Sequence, residues 1–260
     1  MNHKIVLLGI VAILASGCAS ESGTSSGQGV VVEDFSISDN TLIPEQEANL
    51  KVEIANYNTN PTDIETLEIF NKGKLKVENK QCSSESIRAA REDIVPRMSC
   101  SWTVKAPGED FIEGFDSKPT PIKLRLAYST SFENTEPLKI DYQELSNIKN
   151  SGETTITDSN GNIEITINGQ TPTSQSSPNP LNFQIRNVGP GRVEGNYDLT
   201  YNPNDILEEC PNEEEPVIEN TVEYSCNLES GSTGTKNIFL TTSYKYIKSP
   251  NLDIQVVNNQ

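Results

Sequence analysis

Five cysteines, Cys18, Cys82, Cys100, Cys210 and Cys226, are the residues whose type and spacing bear most directly on chemistry. Thiolates can hold zinc, attack electrophiles or pair as disulfides, and spacing separates these uses. A four-thiolate zinc site calls for close Cys-x-x-Cys pairs, and none occurs. Nucleophilic use calls for a base, but the only histidine is His3, inside an N-terminal segment expected to be removed as a leader. A mature chain without histidine excludes Ser-His-Asp and Cys-His catalysis, His-Glu-x-x-His zinc hydrolysis and histidine acid–base work. No glycine-rich phosphate loop is present. Two carboxylates alone can run a glycosidase, but one Trp and 6% aromatic residues do not suggest a sugar-binding cleft. The chain is therefore expected not to be an enzyme.

Disulfides remain. Cys82 and Cys100 lie 18 residues apart, and Cys210 and Cys226 lie 16 apart. Around them the chain repeats itself. "NLKVEIANYN" (49–58) parallels "PLNFQIRNVG" (180–189), "MSCSWTV" (98–104) parallels "YSCNLES" (224–230), and "LAYSTSFENTEPLKI" (126–140) parallels "LTTSYKYIKSPNLDI" (240–254). Of the three possible pairings, only Cys82–Cys100 with Cys210–Cys226 keeps each bridge inside one repeat. That pattern is the disulfide framework of an extracytoplasmic protein.

The elements that position these residues read as strands. Leu50, Val52 and Ile54 alternate with Lys51 and Glu53, and Leu181, Phe183 and Ile185 repeat the pattern. Ile122, Leu124 and Leu126 alternate with Lys123 and Arg125. Period-two alternation between Pro, Gly and Asn clusters predicts half-buried antiparallel strands. Cys100 and Trp102 fall on one face of their strand, which predicts a Trp packed near the disulfide in the first core. One helical turn is expected, over "SESIRAARED" (84–93). The fold class is all-β: two tandem immunoglobulin-like sandwiches, each with one disulfide, over 29–143 and 155–260, joined by a polar linker at 144–154.

Ahead of them, Asn2, His3 and Lys4 precede eleven uncharged residues, Ile5 to Ala15. Eleven is too short to span ~30 Å of hydrocarbon, and matches the apolar core of a signal peptide. The small residues Ala15, Ser16 and Gly17 stop at Cys18, which resembles the lipobox of secreted lipoproteins. The resemblance implies that 1–17 are removed, that Cys18 is acylated, and that the chain is attached to a membrane through that lipid. "ASESGTSSGQG" follows, so 18–28 is expected to be a flexible tether with a reach of about 18 Å.

"FQIRNVGPGRV" is an alternating strand that ends in Asn187-x-Gly189, turns and resumes at Val193; the first repeat has Asn56-Tyr57-Asn58 at the same place. This resembles the immunoglobulin-like modules of the cell-adhesion-related (CARDB-type) domain family of bacterial and archaeal surface proteins. The resemblance implies a sandwich used for display or adhesion, with no catalytic residues. Together the two resemblances point to a membrane-anchored surface lipoprotein that acts as an adhesion, spacer or interaction module, whose partner is a surface protein or polymer. The alternative is a solute-binding or accessory lipoprotein of a transport system. A formal charge of −17 opposes nucleic-acid phosphates, so no nucleic-acid partner is expected.

Two acidic stretches carry oxygen groups that could meet a cation. "DSNGNIE" sets Asp158, Asn160, Asn162 and Glu164 at alternate positions, like the start of a calcium loop. Ile163 stands where such a loop needs Gly, and Asn-Gly there signals a hairpin turn, which is the expected reading over calcium. "EECPNEEEP" (208–216) crowds five glutamates around Cys210 and reads as a solvated loop. No cofactor is expected.

Overall fold

The computed structural model describes residues 29–174, 179–203, 207–208, 210, 215–216, 221–228 and 233–258. The first half of the chain gives β1 (Val30–Ile37), β2 (Thr41–Leu42), β3 (Glu47–Asn56), β4 (Thr62–Asn71), β5 (Lys76–Cys82), β6 (Ser86–Ile87), β7 (Arg97–Lys105), β8 (Ser117–Pro119), β9 (Ile122–Glu133) and β10 (Leu138–Gln143). The second gives β11 (Gly152–Ser159), β12 (Ile163–Thr171), β13 (Thr173–Ser174), β14 (Asn179–Asn187), β15 (Arg192–Asn202), β16 (Leu207–Glu208), β17 (Glu215–Pro216), β18 (Thr221–Leu228), β19 (Gly234–Lys248), β20 (Asn251–Leu252) and β21 (Gln255–Val257). Two 3-10 turns, Glu109–Phe111 and Leu145–Asn147, are the only helical elements among the described residues.

Alternation decides the faces, as expected. Ala48, Leu50, Val52 and Ile54 of β3 are buried, and so are Ile163, Ile165 and Ile167 of β12. Fully burying such a side chain stabilises by roughly 1.5–3 kcal/mol. The fold is all-β and sandwich-like. Strands β1-β3-β7-β5 form one outer sheet, and β12-β14-β18-β16 reproduce that order in the second half, with β11 added at the edge. The duplication seen in sequence is thus a duplication of topology.

A third sheet is shared by both halves. β4 pairs with β9, β9 with β19, and β19 with β15, all antiparallel. Its outward side carries an ion-pair network over four strands. Lys245 reaches Glu65 at 2.9 Å and Glu194 at 3.0 Å, and Arg125 reaches Glu194 at 3.2 Å. The Lys245 ammonium is the main cause holding both carboxyls below their usual range.

The last strand of each half crosses to the other. β10 pairs with β19, from Leu138 opposite Ile238 to Tyr142 opposite Gly234, and lies parallel to β13 with Tyr142 opposite Thr173. In return β20 sets Leu252 opposite Ile122 of β9, and β21 lies parallel to β2 with Val256 opposite Leu42. β21 also pairs with β8. Hydrogen bonding therefore does not follow the division by sequence order at 144–154. Asn134 sits where β9 hands over to β10 along β19. Its Oδ1 accepts from Leu240 N at 2.6 Å, and its Nδ2 donates to Glu136 O at 2.6 Å. The side chain fills the gap that the strand break leaves in the ladder.

The helical turn expected over 84–93 is not present. Ser86 and Ile87 form β6 against Asp63 and Thr62, and Arg91 bridges Ile94. A ten-residue helix is marginal in water, whereas Ile87 is buried in the core at 1% exposure. Tertiary burial overrides propensity here.

Candidate functional site

Both disulfides form, Cys82–Cys100 and Cys210–Cys226. Cys82 and Cys100 are direct cross-strand neighbours on β5 and β7. The bridge thus staples two adjacent strands of one sheet, unlike an immunoglobulin bridge, which joins two sheets. Trp102 and Cys100 are both buried on the inner face of β7. Cys18, with the leader and tether, lies outside the described residues, as does most of the glutamate-rich stretch at 208–216.

The four calcium candidates sit on the β11–β12 hairpin and turn to different partners. Asp158 Oδ2 accepts from Thr135 N at 2.6 Å and from Thr135 Oγ1, while Oδ1 accepts from Ser159 N at 2.8 Å. Asn160 Oδ1 takes the amides of Asn162 and Ile163, both at 3.1 Å, in an Asx turn. Asn160 Nδ2 donates to Tyr244 OH at 2.8 Å, and Asn162 Nδ2 to Tyr128 OH at 3.0 Å. Glu164 pairs with Arg186 at 2.8 Å. The stretch is a hairpin turn whose amides point into the interface between the halves. Among the described residues no cluster of three or more His, Cys, Asp or Glu side chains could hold a metal.

Asn56 and Asn187, the strand-end asparagines of the two repeats, do the same structural work. Asn56 Nδ2 donates to Asn60 O at 2.9 Å, and Asn187 Nδ2 to Gly191 O at 2.8 Å. Each closes the loop that follows its strand. The loops then differ. Gly191 packs so tightly on β19 that a Cβ there would lie 2.2 Å from Ile247 O. In the first repeat, Tyr57, Asn58, Thr59 and Asn60 replace the glycine-rich loop and stand off the shared sheet on side-chain struts. Asn58 Nδ2 donates to Thr130 Oγ1 at 3.2 Å, and Asn60 Nδ2 to Ser131 Oγ at 3.4 Å.

That standoff borders a cleft of about 520 Å³ between the halves, walled by 57–60, 131–135, the hairpin 158–160 and Phe239. The volume is in the range of small-molecule sites, about 300–1,000 Å³. The Tyr57 hydroxyl donates to Glu33 at 2.6 Å, and Glu33 is held by Arg97 at 2.6 Å. The Arg97 guanidinium lowers the Glu33 carboxyl, and the hydrogen bond to Glu33 raises the Tyr57 phenol. Tyr57 is thereby fixed at the cleft. Sequence reading missed this site. Its signal was the change from Asn-x-Gly to Asn56-Tyr57-Asn58, which shows only when the two repeats are set side by side.

No family model matches the chain, and no curated protein does. A solved structure, the secreted serine protease VesC from Vibrio cholerae, aligns with 90% of this chain and 52% of its own at 7% identity and a TM-score of 0.27. The chain spans about half the length of that protein, and a likeness at this score carries no argument. No helix among the described residues is long and apolar enough to cross a membrane. The two disulfides place the chain in an oxidising, extracytoplasmic setting.

Proposed function

We propose that this chain is a non-catalytic, lipid-anchored surface protein whose joined sandwiches serve as an adhesion, spacer or interaction module. The observation that carries the reading is the cysteine pairing. Two disulfides consume four of the five cysteines and leave Cys18 without an intramolecular partner, directly after a run of small residues. A lone acyl chain holds a protein only marginally, so stable anchoring calls for more than one chain on Cys18. Cys18→Ser should release a folded, soluble protein or leave an unprocessed precursor, with both disulfides intact. A processed variant that stays in the membrane fraction would overturn the anchor.

A second reading, a solute-binding or accessory lipoprotein of a transport system, is favoured by the cleft between the halves. Affinity capture from envelope extract separates the two readings. Transporter subunits support the second, and a surface protein or polymer supports the first.

A further inference from the structure

We propose that the cleft between the halves binds an uncharged oligosaccharide. The inference concerns the cleft alone and stands whether or not Cys18 is acylated.

The first argument is the asymmetry of the repeats. At the equivalent place in the second half the loop lies flat on β19, with Gly189 and Gly191 admitting no side chain. The first half spends two asparagine side chains to hold its loop off the sheet instead. The second argument is the chemistry of the walls. No Lys, Arg or His lines the cleft, and Glu133 and Asp158 do, so an anion is repelled. A cation finds little either. Both Asp158 oxygens are already engaged, and Glu133 Oε2 accepts from Thr241 Oγ1 at 2.8 Å.

Neutral polar groups and rings remain. Among the described residues no hydrogen bond engages Thr59 Oγ1 or Asn60 Oδ1, both on exposed residues, and Ser131 Oγ accepts from Asn60 while keeping a proton to donate. Tyr57, Phe132 and Phe239, each half-buried, add apolar surface. Hydroxyl and amide groups interleaved with aromatic surface match a sugar, which presents hydroxyls at its rim and C–H groups on its face. The bonds from Asn58 to Thr130, from Asn60 to Ser131 and from Thr135 N to Asp158 hold the walls together before any ligand arrives, which lowers the ordering cost of binding.

The test titrates the full chain, in detergent micelles, with chitotetraose, cellotetraose and tetragalacturonate, read by calorimetry and saturation-transfer NMR. At least one neutral tetramer should bind, and tetragalacturonate should not. Asn60→Ala should weaken binding about tenfold, and Thr59→Trp, which fills the cleft, should abolish it. Val188→Trp, in the counterpart loop, should change nothing. Positions 59 and 60 are exposed, so both variants should melt with the wild type; if one does not, the other carries the test. Failure of both neutral tetramers to bind, wild-type affinity in the folded variants, or equal affinity for tetragalacturonate would each overturn the proposal.

Discussion

Thr130 of β9 and Tyr244 of β19 lie directly opposite each other, and their separation in sequence equals that between Leu126 and Leu240 and between Leu138 and Leu252. Equivalent residues of the two repeats therefore meet face to face, as across a local two-fold axis. The parallel pairs Tyr142–Thr173 and Val256–Leu42 are related in the same way, which makes the crossing of β10 and β21 reciprocal. Each half is completed by the other.

Truncation after Lys248 should therefore damage the first half. It removes Ile254 and Val256, both fully buried, at roughly 1.5–3 kcal/mol each. Limited proteolysis should cut within 29–143 far sooner than in the intact chain, and neither 29–143 nor 155–260 should fold alone as a monomer. A truncated chain whose first half resists protease like the wild type would count against the exchange.

Asn134→Ala should cost about 1–3 kcal/mol in urea unfolding, because the Leu240 amide loses its acceptor in a buried gap of the ladder. Thr135→Ala, one residue on and exposed, removes only a surface hydroxyl bond to Asp158 and should cost clearly less.

Lys248 gives a pH dependence. Its Nζ donates to Val30 O inside the fold, and burial lowers the amine to about 8 from the usual 10.5. Between these values the unfolded chain holds a proton that the folded chain has released, so stability rises with pH across that window. The full window corresponds to ~3 kcal/mol. Below about 8 both states are charged and this contribution is flat. Buried Tyr128, Tyr197 and Tyr244, raised by desolvation, act oppositely once unfolded tyrosines ionise near 10. The rise is therefore measured between pH 8 and 10 by denaturant titration, and Lys248→Met should remove it.

Removing either disulfide as a double alanine variant should lower stability by about 3 kcal/mol, the chain-entropy value for loops of this length. The crossing strands remain, so β10 and β21 should keep their amide protection in hydrogen exchange. Loss of that protection together with the Cys82–Cys100 bridge would show that the bridge, and not the core, holds the exchange in place.

What the sequence by itself determined is what neighbours along the chain control. Alternation at Leu50, Val52 and Ile54 set the buried face, since side chains two apart on a strand share a side. The cysteine spacings set the pairing because each bridge closes a short loop within one repeat. Asn160-Gly161 announced its hairpin through local turn chemistry. Tertiary structure alone decided which sheet each strand joins. β10 binds β19 and β21 binds β2 because burial and hydrogen bonding are satisfied between segments about a hundred or more residues apart, and nothing in the local pattern of Leu138–Gln143 names its partner. The same holds for Ile87, where distant core contacts outweighed the helical character of 84–93, and for Asn160 and Asn162, whose amides meet tyrosines of the shared sheet. The cleft belongs to this second class. A composition poor in aromatic residues gave no hint that Tyr57, Phe132 and Phe239 would be gathered at one place, because only the pairings of β4 with β9 and of β9 with β19 bring their segments together.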